Sequence, residues 1–106
     1  TEVAEVFGSH GYEASLTAAS RDAGVDIWLN RNGKRLIVQC KGYSKPAGVA
    51  IVRDLYGTLR ATSADTAYLV CPVGFTSGAV EFSRGKPIAL VDAHWIATKS
   101  NHTEPR

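Results

Sequence analysis

The chain has no methionine, only two cysteines, no long apolar run and a formal net charge of only +2. Each scarcity excludes something. Two cysteines cannot build the disulfide framework of a small secreted domain, and their spacing fits no zinc motif. Cys40 and Cys71 each lie inside an apolar run, IVQCK and AYLVCP. Both are therefore expected to be buried, reduced thiols of a cytoplasmic protein. No apolar stretch approaches the ~18–20 residues of a membrane span, and no signal-peptide pattern is visible, so no membrane partner is expected. The small net charge announces no nucleic-acid partner, and any phosphate-binding surface must come from local clustering of Lys and Arg. There is no GxxxxGK[ST] loop, so nucleotide hydrolysis on that pattern has no support. His10, His94 and His102 share no ligand spacing. The sequence begins at Thr1 without a methionine and reads as a piece of a longer protein.

What is present is ordinary for a globular protein: 106 residues, 44% hydrophobic and 21% charged. That length suits one domain with a core of its own. We expect a domain over residues 1–99 and a polar tail over 100–106. Val3, Val6, Phe7 and His10 recur at helical spacing, which predicts a helix over 1–10 ended by Gly11. Residues 12–17 alternate as a short strand, and 18–24 read as a loop. Val25, Ile27 and Leu29 alternate with Asp26 and Trp28, a second strand. Asn32-Gly33 is a strong hairpin signal, and Leu36, Val38 and Cys40 then alternate with Ile37, Gln39 and Lys41 in a third strand.

A helix is expected from Val49 to about Ala61, with Val49, Val52, Leu55, Tyr56 and Leu59 on its apolar face. Residues 66–71 form a nearly continuous apolar run, as in a strand covered on both faces. Thr76 or Ser77 can cap a short helix ending near Gly85. Residues 87–91 read as a last strand and 93–99 as a terminal helix. A hairpin feeding alternating strands and helices predicts an α/β fold: a mixed central sheet of about five strands flanked by helices.

The hairpin also converges functional groups. With a two-residue Asn32-Gly33 loop, Arg31 faces Lys34 and Asp26 faces Gln39. Side chains alternate with period two, so Asp26, Gln39 and Lys41 share one face. Directly opposite Cβ atoms lie about 4.5–5.5 Å apart and diagonal neighbours about 7–8 Å. A four-residue loop keeps the face, whereas a three-residue loop breaks the register unless a bulge restores it. An Asp carboxylate and a Gln amide oxygen are hard ligands suited to magnesium. A lysine beside them can orient a water or stabilise charge on a phosphoryl group. Together they suffice for metal-assisted phosphodiester hydrolysis. The bland alternative is a solvated Asp–Lys pair on a strand face.

The blocks GY, DAGVDIWL, LIVQCKGYS, VRDLYG, ADTAYLV and GFTSGAVEFSRGKPIALVD resemble the catalytic domain of Mrr-type restriction endonucleases, in the PD-(D/E)XK superfamily, over about Gly11 to Asp92. In that subgroup the second acidic position is commonly glutamine, and Gln39-Cys40-Lys41 fits the Q-x-K form. The resemblance implies a restriction-endonuclease-like fold and Mg²⁺-dependent cleavage of double-stranded DNA, with Mn²⁺ as a substitute. It implies that Asp26, Gln39 and the Cys40 backbone carbonyl hold the metal while Lys41 supports the attacking water. It also implies restriction of foreign or modified DNA, a fused or separate DNA-recognition domain as partner, and a homodimer as one arrangement. The family's first-helix glutamate aligns just before Thr1, with Glu2 and Glu5 as substitutes. Two alternatives are a DNA-binding sensor module that keeps the nuclease fold without strong catalysis, and a resolvase of branched DNA (Holliday junctions).

Further residues are candidates for support. Asp22 stands four residues ahead of Asp26 and either supports the site or closes an Asx-turn. Glu13 faces either the metal or water. Lys34, Arg35, Lys45, Arg53, Arg60, Arg84 and Lys86 are candidate phosphate contacts, about a third of which a duplex would touch from one side. Lys45 and Arg53 are favoured because they follow the Q-x-K strand. Tyr43 can stack, bond a phosphate, or pack in its loop.

Overall fold

The computed structural model describes residues 13–16, 25 and 27–100, with backbone alone at 13–16, 99 and 100. The expected helix over 1–10, the loop at 18–24 and the tail beyond residue 100 lie outside the described residues. One sheet runs in chain order through β1 (Glu13–Leu16), β2 (Ile27–Arg31), β3 (Lys34–Cys40), β4 (Thr66–Val70) and β5 (Ile88–Val91). β2 runs antiparallel to both β1 and β3, and β3, β4 and β5 are parallel. Three helices complete the described chain: α1 (Val49–Thr62), α2 (Ser77–Ser83) and α3 (Ala93–Ser100). The fold is α/β, with a mixed sheet flanked by helices, as the order of sequence signals predicts.

Local chemistry sets each boundary. Asn32 (φ 53) and Gly33 (φ 82) both adopt the left-handed region that a two-residue type I′ turn needs. The turn brings Arg31 opposite Lys34 and carries the register to Ile27 opposite Val38. Val52, Leu55 and Leu59 form the buried stripe of α1, while Arg53, Asp54 and Arg60 face solvent. The Thr76 hydroxyl accepts the Ala79 N–H at 3.1 Å and starts α2. That helix stops at Ser83, before the expected Gly85, whose φ of 74 turns the chain toward β5. The terminal helix runs to Ser100, one residue into the expected tail.

The core lies on both sides of the sheet. On one face Ile37, Ala67 and Leu69 pack against Val52, Leu55 and Leu59 of α1 and Ala79 of α2. On the other, Ile27, Leu29, Leu36, Val38, Val70 and Val91 meet Ile96 and Trp95 of α3. Each fully buried Leu, Ile or Val contributes about 1.5–3 kcal/mol from area removed from water. β4 supplies both clusters, which explains its unbroken apolar run.

Two expectations need correction. Val25 packs with the α1 cluster, whereas Ile27 and Leu29 pack with the α3 cluster. Val25 and Ile27 therefore do not share the one face that the alternation predicts, and the described strand is Ile27–Arg31. Cys40 is exposed and Cys71 buried, so only one of the two thiols is in the interior. Cys40 does lie on the strand face opposite Gln39, but it is the last residue of β3, at the sheet's edge.

Candidate active site

Because β2 enters where β3 leaves, the start of β2 and the C-terminal ends of β3 and β4 meet at one edge of the sheet. In open α/β sheets this carboxyl edge is where ligands bind. Two loops close the edge. Residues 41–48 follow β3, and residues 71–76 follow β4. They are joined through Ala47, whose N–H donates to the Gly74 carbonyl and whose carbonyl accepts the Thr76 N–H, each at 3.0 Å. The Cys71 thiol donates to the Lys45 carbonyl at 4.0 Å. Gly74 (φ 100) makes the tight turn that the second loop requires.

Gln39 stands beside Leu69 in the parallel ladder and is 8% exposed. Among the described residues it is the buried polar side chain, on the same face as Ile37. Burying an amide costs free energy that an apolar side chain at that position would not. Such a local violation of packing is expected where function requires it. Lys41 is two residues on and half-buried. Its backbone N–H still donates to the Val70 carbonyl at 2.8 Å, so the main chain stays tied to β4 through the Q-x-K segment. The Lys41 ammonium lies 5.9 Å from the centre of the Tyr43 ring.

The structure thus brings Gln39, Cys40, Lys41 and Tyr43 together at the carboxyl edge, with exposed Lys45 in the adjoining loop and exposed Arg53 four residues into α1. Asp26, Asp22 and Glu5 lie outside the described residues. Glu13 is opposite Asn30 in the β1–β2 ladder. The other candidate phosphate contacts stand elsewhere. Arg35 stacks on Trp28 at 4.6 Å, Arg84 pairs with Glu81 at 3.2 Å, and Lys86 lies 4.1 Å from the Phe82 ring centre. Arg60 donates to the Tyr56 hydroxyl at 3.2 Å. Lys34 is at the hairpin tip, the opposite end of β3.

A cleft of about 640 Å³ also opens at that far end, lined by Arg31, Lys34, Leu36, Asp65, Thr66 and Tyr68 among others. Of the candidate residues it contains Lys34 alone, and none of Gln39, Cys40, Lys41, Tyr43, Lys45 or Arg53. Spacing alone did not place the 71–76 loop against the 41–48 loop; the glycine of GFT was the signal for its turn.

Among the described residues no three His, Cys, Asp or Glu side chains cluster as a ready metal site. The described donors at the edge are an amide oxygen on Gln39 and the backbone carbonyl of Cys40. These are hard oxygen ligands, and with a carboxylate they fit magnesium rather than zinc or copper.

A family model described as "Restriction endonuclease", the Mrr catalytic domain, matches residues 1–98. The chain belongs to that restriction-endonuclease family. A solved structure titled "Crystal Structure of Protein of Unknown Function AF1548" shares the fold with a TM-score of 0.76 at 16% identity. The match covers 92% of this chain and 62% of that one, so this chain spans under two thirds of its neighbour's length. No curated protein matches.

Proposed function

We propose that this chain is a Mg²⁺-dependent DNA endonuclease domain that hydrolyses phosphodiester bonds in restriction of foreign or modified DNA. The observation that supports this most is a buried Gln39 two residues ahead of Lys41 at the carboxyl edge of the central strand, within a chain of the Mrr family. Asp26, Gln39 and the Cys40 carbonyl are the residues that would hold the metal, with Mn²⁺ as a substitute. Bound there, the ion supplies Lewis-acid polarisation of the phosphodiester and a more acidic water. Lys41 would orient the attacking water and offset charge gathering on the phosphoryl oxygens as the new P–O bond forms and one backbone P–O bond breaks. Lys45 and Arg53 position the duplex by its phosphates. Asp22, Glu13 and Glu5 are supporting acids in this reading, and a fused or separate recognition domain supplies sequence preference.

Plasmid nicking tests this. Wild-type protein is expected to nick in Mg²⁺ or Mn²⁺ and to stop in EDTA, and Asp26→Ala is expected to be inactive while folded. Nicking by Asp26→Ala at the wild-type rate refutes the assignment. A second reading is favoured by the neutrality of Gln39, which lowers the site's charge and metal affinity. It is a DNA-binding sensor, and it predicts salt-dependent DNA binding without cleavage in any divalent metal.

A further inference from the structure

We infer that Tyr43 is a positioning residue for Lys41, an inference that rests on the nuclease reading above. The segment Gln39-Cys40-Lys41-Gly42-Tyr43 leaves the sheet without a turn, and residues two apart on extended chain point to one side. The ring of Tyr43 therefore comes to lie beside the Lys41 side chain, with 5.9 Å between the ammonium and the ring centre. That is within the reach of a cation–π attraction. Tyr43 itself is 41% exposed, so its ring is accessible beside the Lys41 side chain.

A lysine ends in a compact charge on a flexible four-carbon stem. Lys41 has its backbone held by Val70, but the backbone bond does not fix the ammonium. The aromatic face beside it restricts where the charge stands. Reaction rate depends on how closely a group is held to its productive geometry, whereas DNA affinity depends mainly on the number of phosphates neutralised. Loss of the ring should therefore lower kcat and leave DNA affinity unchanged. An exposed cation–π pair corresponds to about a two- to fivefold effect on rate.

The test has two readouts. Lysine labelled with ¹³C at Cε should show Lys41 methylene protons shifted upfield by the ring current in wild-type protein. The shift should persist in Tyr43→Phe and vanish in Tyr43→Leu. In single-turnover cleavage, Tyr43→Leu should lower the maximal rate constant with the half-saturating enzyme concentration unchanged, and Tyr43→Phe should rescue it. In a Lys41→Ala background, Tyr43→Leu should leave DNA binding where it was. Absence of the upfield shift in wild type overturns the inference. So does weaker DNA binding by Tyr43→Leu in the Lys41→Ala background, which makes Tyr43 a direct DNA contact. If the shift is present and the wild type cleaves nothing in any metal, the ordering of Lys41 by Tyr43 is supported and the nuclease reading fails instead.

Discussion

Gln39 lies directly beside Leu69 in the parallel β3–β4 ladder, an 8%-exposed amide where the neighbouring position of the same face holds Ile37. An apolar residue would fit this place at lower cost. Gln39→Leu is therefore expected to melt at or above the wild-type temperature while losing cleavage by about a hundredfold or more, as loss of a metal donor does. Gln39→Glu keeps an oxygen donor and should retain cleavage. Thermal melting and plasmid nicking on the same preparations separate the two effects.

Lys41 is half-buried at the edge, with its backbone bonded to Val70. Lys41→Ala removes no core contact, so stability should change by no more than about 0.5 kcal/mol. Cleavage should fall by about 10²–10³, the range for removing one electrostatic stabiliser of a transition state. A stable variant with unimpaired cleavage would remove Lys41 from the chemistry.

Charge placement predicts which cations face DNA. Lys45 and Arg53 adjoin the carboxyl edge, whereas Arg60 and Lys86 are engaged with Tyr56 and Phe82 at the far end of α1 and α2. In the log Kd against log[salt] plot, Lys45→Ala and Arg53→Ala should each reduce the slope by about 1. Arg60→Ala and Lys86→Ala should leave it unchanged. The reverse pattern would move the duplex to the other end of the molecule.

The two thiols should react at different rates. Cys40 is exposed and Cys71 is fully buried beneath the Lys45 loop. A disulfide-exchange reagent should label one cysteine quickly in native protein and the second only on unfolding. Cys40→Ser should abolish the fast phase.

Much of the architecture was legible because its signals are local. Asn32-Gly33 dictated a two-residue turn, the register followed from it, and Thr76 capped its helix. Gly33→Ala should cost about 1–2 kcal/mol because a Cβ is disfavoured at its φ of 82. Thr76→Ala should cost about 1 kcal/mol through the lost cap. Urea denaturation checks both.

What period and propensity could not show depends on where an element ends and what covers it. Cys40 alternates as a core residue but falls at the strand's last position, where the sheet runs out. Val25 continues the apolar pattern of β2 yet packs on the face opposite to Ile27 and Leu29. The joining of the 41–48 and 71–76 loops through Ala47 rests on backbone hydrogen bonds between distant segments, which residue spacing does not encode.

The most direct measurement is a Mg²⁺ titration of the single-turnover cleavage rate on a defined duplex, run for the wild type, Gln39→Leu and Lys41→Ala. A wild-type rate that saturates with Mg²⁺, a Gln39→Leu curve displaced to higher Mg²⁺, and a Lys41→Ala curve lowered in plateau are the predicted result. Three superimposable curves, or a rate indifferent to Mg²⁺, would contradict a metal-dependent nuclease centred on Gln39 and Lys41.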